Sequence, residues 1–410
     1  MALYGDLTHD SRVIREADTL AAQGWAVRVY SLAGSPPAGS AFESVAITPD
    51  GASVLPDGSS PYLRPSTGSR LARLRARVIW AAGYARTVRA WGQTIISAEG
   101  DVDVWHAHDL TGLLAVGPMV RRPTRLVYDS HEVFLESGSA TRLPATVRRA
   151  LQKYERHLTQ KAEALVTVSD STAAILGRRL RPAEVVVVRN CPPRWTPAAD
   201  DPLRLRAALH LAPDDPIALY HGGFIPERGI EMLAKALLEP GAERIHGVLL
   251  GFGPMRDQLV ALAAEERFGG RLHVLDAVPP EDLLGWVFGA DVAVMPIQPT
   301  TFNNRIGSPN KLWEALAAGV PVVVSDLPEM RRVVLEDPQL PLGATCDPTS
   351  AASIAAAIRV IVERPAGERA ALRRRCLDAA HRRWNWESQG EGLVTLYRRL
   401  LPADSGEVAP

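Results

Sequence analysis

Short apolar runs alternate with longer segments of helical periodicity along most of this chain, and this feature constrains the fold most. The runs are apolar at successive positions, which is typical of parallel strands that helices cover on both faces. The candidate strands are 2–4, 26–31, 102–106, 125–129, 164–168 and 185–189, followed by 217–221, 247–251, 272–275, 292–296 and 320–325. The pattern predicts an α/β protein with doubly wound, Rossmann-like parallel sheets.

The chain length and a change in composition predict two such domains in tandem. A chain of 410 residues exceeds what one hydrophobic core ordinarily supports. Proline and acidic residues are frequent between 193 and 216, which places the linker at about 192–202. We therefore predict domains at 1–195 and 196–380, and a C-terminal helix and tail at 381–410 that packs back on the first domain. The cleft between the domains is the expected ligand site.

The overall composition disfavours several functional classes. Lys+Arg and Asp+Glu both total 46, so no net charge favours nucleic acid as a partner. No apolar run is long enough to span a membrane, and no signal peptide is recognisable. The three cysteines, Cys191, Cys346 and Cys376, lack metal-binding spacing and cannot all pair, which favours a reducing cytoplasm. The sequence leaves the oligomeric state open.

Two segments of the first half are less regular. Residues 35–69 are rich in glycine, proline and serine and are predicted to form a loop. The stretch from Arg64 to Gln93 interleaves arginines with apolar residues. One interpretation is an amphipathic basic helix that makes a peripheral membrane contact or touches a phosphorylated acceptor. We favour the other, a helix on the domain flank with a solvated arginine face.

Two glycine-containing loops follow strands of the second half. Gly222 and Gly223 allow a ligand to approach the backbone closely, and Arg228 is placed to reach an anion. Gly251 and Gly253 belong to a Gly-x-Gly-Pro turn after the next strand. Each motif is weak by itself, because many α/β loops contain paired glycines.

The stretch SPNKLWEALAAGVPVVVSD, which starts at Ser308, indicates a helix, a turn and a buried strand. Ser308 is the predicted N-cap, and Pro309 the first helical residue, where a missing N–H costs nothing. The free N–H groups there, including that of Asn310, form an anion site to which Lys311 adds a positive charge. Glu314 lies one turn further on and can accept hydrogen bonds from ribose hydroxyls. A capping box does not explain Glu314, because the box requires Glu or Gln at position 311.

The order of these motifs resembles that of retaining glycosyltransferases of family 4, which have the GT-B fold. The second half contains strand–Gly-Gly–Arg, Gly-x-Gly-Pro, ADVAVMP and PNKLWEALAAGVPVVVSD in this order. The first half contains THDSRVIREADTLAAQGWAVRVYSL, DVDVWHAHDL, LVYDSHEVF, ALVTVSDSTAAIL and VVVVRNCP, which are similar to family motifs. The resemblance covers almost the whole chain.

The resemblance implies an acceptor-binding first domain and a nucleotide-sugar-binding second domain. Glu314 would hold the donor ribose, and His108 would line the catalytic cleft. Arg228, at the family's basic position, and Lys311, from its place in this helix, would stabilise the donor diphosphate. The other donor-binding residues would be Gly222, Gly223, Gly253, Ser308, Pro309 and Asn310. On the acceptor side would lie Asp10, Arg12 and His131, with Asn190 at the hinge.

Two positions depart from the family pattern. Ile306 replaces the first glutamate of the Glu-x7-Glu motif, which meets hydroxyls of the donor sugar, and Gly223 replaces the usual arginine of the glycine loop. The identity of the sugar is therefore open, and a non-catalytic nucleotide-sugar-binding partner of another transferase is an alternative. A nucleotide-sugar 2-epimerase on the same fold is a further alternative, which the SPNKLWEALAAGVPVV pattern disfavours.

No metal or other cofactor is expected besides the nucleotide-diphosphate sugar as co-substrate. Asp101 and Asp103 fit an Asp-x-Asp motif but precede a strand of the other domain. His106 and His108 share one face of a strand and, with Asp109, suggest a metal, but no fourth ligand is evident. The resemblance implies retention by front-face attack. A UDP- or GDP-sugar donor, and a small-molecule, polysaccharide or lipid-linked acceptor, all stay open.

Overall fold

A computed structural model describes residues 1–8, 10–49, 70–198, 201–337 and 339–401. The chain divides into two compact units. Unit 1 comprises Met1–Asn190 and the chain from Gly390 onward, and unit 2 comprises Cys191–Gln389. Each unit contains one parallel sheet flanked by helices, which confirms the predicted α/β class with two Rossmann-like domains.

The sheet of unit 1 has the strand order β3-β2-β1-β4-β5-β6-β7, and its strands are parallel. The strands are β1 (Ala2–Leu3), β2 (Arg28–Ser31), β3 (Glu43–Ala46), β4 (Val104–His108), β5 (Arg125–Ser130), β6 (Ala164–Thr167) and β7 (Val185–Val187). The direction of winding reverses between β1 and β4, where Leu3 pairs with His108. Ligands of such sheets bind outside the carboxyl ends of the strands at this switch point.

Five helices follow these strands within the first 190 residues that the structure describes. They are α1 (Ser11–Ala21), α2 (Arg70–Glu99), α3 (Asp109–Val116), α4 (Ala145–Thr159) and α5 (Asp170–Leu180), with 3₁₀ turns at Phe134–Glu136 and Gly138–Arg142. Helix α1 starts where the Asp10 carboxylate accepts a hydrogen bond from the Val13 N–H at 3.1 Å. Its buried face carries Val13, Ala17 and Leu20, as the helical spacing of these residues predicts.

Helix α2 contains most of the arginine-rich stretch; residues 64–69 of that stretch lie outside the described residues. Val88, Trp91 and Ile95 are buried, at spacings of three and four residues. Arg86 and Arg89 are exposed on the other side. This part of α2 thus has the arrangement of a flank helix with solvated arginines, and membrane contact stays a prediction.

The sheet of unit 2 repeats the same winding, in the order β10-β9-β8-β11-β12-β13. Its strands are β8 (Ile217–Gly223), β9 (His246–Phe252), β10 (Leu272–Asp276), β11 (Val292–Met295), β12 (Val322–Ser325) and β13 (Gly343–Cys346). The switch point lies between β8 and β11, so the residues that follow β8 are placed for ligand binding.

Helices cover both faces of this second sheet. They are α6 (Asp201–Ala208), α7 (Ile230–Ala236), α8 (Arg256–Ala263), α9 (Leu283–Phe288), α10 (Phe302–Ile306), α11 (Asn310–Ala317), α12 (Pro328–Val334), α13 (Ala351–Val362) and α14 (Ala366–Arg382), with a 3₁₀ turn at Glu266–Phe268; α15 (Trp386–Leu400) follows them in the chain. Helix α11 buries Leu312, Trp313 and Leu316. Because these residues occupy one side, Lys311 and Glu314 lie on the other, only half-buried.

Helix α15 starts in unit 2, and from Gly390 its residues belong to unit 1. The Tyr397 hydroxyl shares a hydrogen bond of 3.0 Å with His106 Nδ1 of β4. Arg399 pairs with Glu184 on the surface at 2.6 Å. Among the described residues, no helix combines the length and apolar character that crossing a membrane requires.

Each predicted strand is present, with ends displaced by at most two residues. The strand predicted at 102–106 runs from Val104 to His108, so His108 is its last residue. The loop prediction for 35–69 is wrong at Glu43–Ala46, which pairs with β2; residues 50–69 lie outside the described part. Strand β13 was also not predicted. Both strands lie at sheet edges and lack a continuous apolar run, the signal from which the others were predicted.

Candidate functional site

The carboxyl end of β8 brings several predicted donor-site residues of unit 2 together. Gly222 has φ +109°, and a Cβ there would lie 3.1 Å from Lys311 Nζ. A side chain at position 222 would therefore be strained and would crowd the lysine. A Cβ on Gly223 would meet nothing within 4 Å, so open space borders this residue. The two glycines thus leave room beside Lys311.

Helix α11 starts one residue later than predicted. Its N-cap is Pro309, with φ −72° and ψ 145°, and Asn310 is the first helical residue. Ser308 is therefore not the N-cap, and its Oγ, although buried, has no hydrogen-bond partner among the described residues. The difference lies at Pro309 itself, because its ψ of 145° is extended and not helical, so the helix begins at Asn310. The N–H groups of the first turn remain unbonded by a cap side chain.

Lys311 lies beside Gly222, and the charge of a second cation, Arg228, acts on it. Lys311 Nζ lies 3.8 Å from the centre of the Tyr220 ring, a cation–π arrangement. Burial, and then the charge of Arg228, lower the pKa of Lys311 to about 7, while Glu314 opposes the shift. Burial also raises the pKa of Tyr220, and here the charge of Arg228 opposes the shift. Two nearby cations with a lowered lysine pKa form a site that an anion would stabilise.

Glu314 is held by a residue that the sequence did not single out. Its Oε2 lies 3.0 Å from Nε2 of His221, the residue before Gly222. His221 is 2% exposed, whereas the Glu314 side chain is 24% exposed and still reaches solvent. Consecutive residues of β8, Tyr220 and His221, thus contact the lysine and the glutamate of α11.

Other predicted donor-site positions have clear packing roles. Gly253 has φ +141°, and a Cβ there would collide with the backbone of Phe224. Ile306 ends helix α10 and is half-buried. The Asn304 amide donates to the carbonyl of Gln298 at 3.1 Å, so the loop before α11 uses this group internally. The donor-binding role of Gly253 stays a prediction.

The predicted site residues of unit 1 surround one buried carboxylate, Asp129, at the end of β5. Arg12 donates to both oxygens of Asp129 at 2.8 Å. His108 Nδ1 lies 3.3 Å and His131 Nε2 lies 3.1 Å from Asp129 Oδ2. The second nitrogen of His131 lies 3.3 Å from Asp109 Oδ2. Because carboxylates only accept, these histidine nitrogens carry the protons.

These contacts set the charges of the cluster. Burial alone would raise the pKa of Asp129, but Arg12, His131 and the hydrogen bonds of the two histidines hold it well below its usual range. Burial would lower the pKa of His131, but Asp109 and Asp129 raise it to about 10. Burial lowers the pKa of His108, so this ring is neutral. His108 therefore presents Nε2 as an acceptor, and this atom has no partner among the described residues.

Glu16 and His106 extend the cluster into the core. Glu16 Oε1 lies 2.9 Å from Arg12, and its Oε2 lies 3.6 Å from His106 Nε2. The rings of His106 and His108 stack at 4.6 Å between centres, which confirms that they share one face of the strand. Burial raises the pKa of Glu16 to about 8, against the charge of Arg12.

Glu16, His106, His108 and Asp129 offer nitrogen and oxygen atoms within 4.8 Å of one another, a spacing that a metal ion could use. Arg12 already lies between the two carboxylates, and both oxygens of Asp129 accept hydrogen bonds. A cation at this point would meet the guanidinium charge. The arrangement is therefore that of a carboxylate cluster neutralised by arginine and histidine.

The remaining predicted residues of unit 1 lie around this cluster or away from it. Asp10 caps α1. Asn190 accepts a hydrogen bond from Arg15 at 2.8 Å and donates to Ser11 at 3.1 Å. Asp101 and Asp103 line a cavity of about 430 Å³ at the amino-terminal ends of the strands, opposite the end where His108 lies. The acceptor-side roles of Asp10, Arg12 and His131 stay predictions; Arg12 is only 3% exposed.

Sequence reasoning missed Asp129, Glu16, His221 and Tyr220. A signal for Asp129 exists, since it is a charged residue at the end of an apolar run. Arg12 and Glu16 are four residues apart on the face of α1 that also carries apolar residues, which indicates a buried ion pair. Nothing local indicates the partner of His221, because Glu314 is 93 residues away.

Family models match both units. The glycosyltransferase family 4 model matches residues 11–191, and the "glycosyl transferases group 1" model matches residues 215–364. These matches cover most of the chain and agree with the two parallel-sheet units. The chain belongs to the glycosyltransferases with a family 4 domain followed by a group 1 domain, and it has the GT-B fold.

The chain is also similar to individual characterised proteins and solved structures. Glycogen synthase of Mycobacterium tuberculosis is 27% identical over 324 residues, which are 75% of this chain and 70% of that protein. Among solved structures, sucrose-phosphate synthase from Thermosynechococcus elongatus has a TM-score of 0.70 at 20% identity and covers 98% of both chains. Anabaena HepE in complex with UDP-glucose has a TM-score of 0.68 at 13% identity, covering 97% of this chain and 100% of HepE. The two structures support the fold.

Proposed function

We propose that this glycosyltransferase transfers a sugar from a nucleotide-diphosphate sugar, with retention of anomeric configuration and without a metal ion. The observation that carries the proposal is the convergence of Arg228, Lys311 and Glu314 at the end of β8. Lys311, whose pKa is lowered by burial and then by the charge of Arg228, suits a diphosphate together with that arginine, and the partly exposed Glu314 carboxylate one turn away suits ribose hydroxyls. HepE, a fold relative, was solved with UDP-glucose.

The same residues would stabilise the nucleoside diphosphate as the leaving group of the reaction. The diphosphate gains negative charge as the glycosidic bond to the sugar breaks. Lys311, Arg228 and the positive end of the α11 dipole would neutralise that charge, and fixed cations and dipoles need no reorganisation during the reaction. A cation such as Mg²⁺ is then not required. The acceptor hydroxyl would attack from the face that the diphosphate leaves, through an oxocarbenium-like state, and its proton would pass to the departing diphosphate oxygen.

His108 would act on the sugar rather than on the diphosphate. Its Nε2 is an unpartnered acceptor, because Asp129 fixes the proton on Nδ1. This atom is buried, so a sugar hydroxyl would reach it only if the surrounding side chains moved apart. The acceptor substrate stays open among small molecules, polysaccharide and lipid-linked molecules, because acceptor loops vary freely on one fold.

Binding experiments test the donor site. Thermal stabilisation by UDP, GDP and ADP should identify the nucleotide, since the tightest ligand raises the melting temperature most. Glu314→Gln should weaken nucleoside and nucleoside diphosphate alike, whereas Lys311→Ala should weaken only the diphosphate. Equal losses of nucleoside affinity in both variants would contradict the assignment.

Activity experiments test the reaction. Donor hydrolysis or sugar transfer should persist in excess EDTA, and NMR of the product should show the anomeric configuration of the donor. Loss of activity that magnesium or manganese restores would revive a metal-dependent mechanism. Tight nucleotide binding without hydrolysis or transfer would instead support a non-catalytic nucleotide-sugar-binding partner, the alternative that Ile306 and Gly223 motivate.

A further inference from the structure

The carboxylate of Glu314 has a fixed partner beneath it in unit 2. His221 is the fifth residue of β8 and is 2% exposed, so its ring has little freedom. Its Nε2 lies 3.0 Å from Glu314 Oε2. Because a carboxylate only accepts hydrogen bonds, Nε2 carries the proton and donates it to this bond.

This hydrogen bond restricts a long, flexible type of side chain. A glutamate loses side-chain entropy when a ligand fixes it, and that loss reduces affinity. Glu314 is 24% exposed, so the part of the carboxylate that reaches solvent can meet a ligand while Oε2 is held. The hydrogen bond therefore prepares the carboxylate before the ligand arrives.

The residue before His221 contacts the other charged side chain of α11, Lys311. Tyr220 precedes His221 and places its ring 3.8 Å from Lys311 Nζ. The end of β8 thus supports both charged side chains of α11, the one proposed for diphosphate and the one proposed for ribose. Because His221 contacts Glu314 and Tyr220 contacts Lys311, we expect His221 to influence recognition of the nucleoside part and to leave recognition of the phosphates intact.

We propose that His221 is a positioning residue, whose Nε2–H holds the Glu314 carboxylate in the orientation that accepts the ribose hydroxyls. The inference rests on the proposed function, because it needs a nucleotide as the ligand. It adds a specificity role for a buried histidine that contacts no ligand itself. It also requires one tautomer, with the proton on Nε2.

Two isosteric variants separate this role from a merely structural one. In His221→Gln the side-chain amide nitrogen occupies nearly the position of Nε2 and can still donate to Glu314. In His221→Asn the amide corresponds to Nδ1 and is too short to reach. Both variants are neutral, polar and smaller than histidine, so they disturb the packing of β8 to a similar extent.

Calorimetry with the full chain measures affinity for UDP, GDP and inorganic pyrophosphate. We expect His221→Asn to weaken the preferred nucleoside diphosphate about tenfold, the loss of one charge-assisted hydrogen bond. We expect His221→Gln to remain within about threefold of wild type, and pyrophosphate affinity to be equal in all three proteins. In the Glu314→Gln background, His221→Asn should cause little further loss, because the two residues act together.

Several outcomes would overturn the inference. Equal nucleotide affinity of His221→Asn and wild type would remove the positioning role. Equal losses in the Gln and Asn variants, or a parallel loss of pyrophosphate affinity, would indicate a general disturbance of β8. If the wild-type protein bound no nucleoside diphosphate more tightly than it bound pyrophosphate, the proposed function itself would fail, and this inference with it. If one variant failed to fold, long-range ¹H–¹⁵N NMR of wild type would still decide, because an Nε2 without a proton would refute the proposed hydrogen bond to Glu314.

Discussion

Removal of the Arg12 charge should destabilise unit 1 far more than removal of a comparable surface arginine. Arg12 donates to both oxygens of Asp129 at 2.8 Å, lies 2.9 Å from Glu16 and also donates to the carbonyl of Val188. The Asp129 and Glu16 side chains are 0% exposed. Arg12→Met keeps most of the side-chain volume but leaves the buried Asp129 carboxylate without its main compensating charge.

The expected loss follows from the burial of these partners. Removal of one member of a buried ion pair costs about 3–5 kcal/mol, because the other charge stays buried without its partner. Arg28 provides a matched control. It also pairs with two carboxylates, Glu43 at 2.5 Å and Glu99 at 2.8 Å, but its side chain is 37% exposed. Exposed pairs contribute about 1 kcal/mol or less, so Arg28→Met should have a small effect.

Hydrogen–deuterium exchange at pH 7 measures both effects unit by unit. Amides of β4 and β5 should exchange about a hundredfold faster in Arg12→Met, which corresponds to about 3 kcal/mol, and less than about tenfold faster in Arg28→Met. Amides of β8 and β11 in unit 2 serve as an internal reference and should be unchanged. The reasoning is refuted if the two variants accelerate exchange of β4 and β5 by the same factor, or if unit 2 responds as strongly as unit 1.

Three further predictions concern titration and donor choice. Binding of UDP or GDP should raise the lowered pKa of Lys311, so the complex should take up a proton and the affinity should fall between pH 7.5 and 9. Calorimetry in two buffers of different ionisation enthalpy measures this proton uptake. Proton uptake that persists in Lys311→Arg would contradict the assignment to Lys311. The pKa of Glu16 is raised to about 8 in the fold, so the folded state holds a proton that the unfolded state releases above its ordinary value of 4.5, and stability falls as pH rises through this window. The Glu16→Gln side chain cannot titrate, so its free energy of unfolding in urea should rise relative to that of wild type from pH 5 to 9. Parallel pH profiles of the two proteins would disprove the raised pKa. Because Ile306 cannot accept a hydrogen bond, a buried sugar hydroxyl against it costs about 1–3 kcal/mol, and the enzyme should prefer a donor other than UDP-glucose; a donor panel in which UDP-glucose has the highest kcat/KM would end this idea.

Local patterns in the sequence determined the fold class and part of the donor site. Continuous apolar runs predicted the buried parallel strands, because strands covered on both faces admit few polar residues. The spacing of Leu312, Trp313 and Leu316 determined that Lys311 and Glu314 share the other side of α11, since helical periodicity is a property of neighbouring residues. Gly222 likewise indicated a close approach at the end of β8 from the sequence alone.

Only the tertiary structure decided which polar groups meet and how they are charged. Arg12 and Asp129 are 117 residues apart, and His221 and Glu314 are 93 apart. Such pairs depend on strand order and on the register of the sheets, which periodicity does not specify. The pKa of Lys311 and the proton on Nδ1 of His108 depend in addition on burial and on neighbouring charges, and these quantities exist only once the chain has folded.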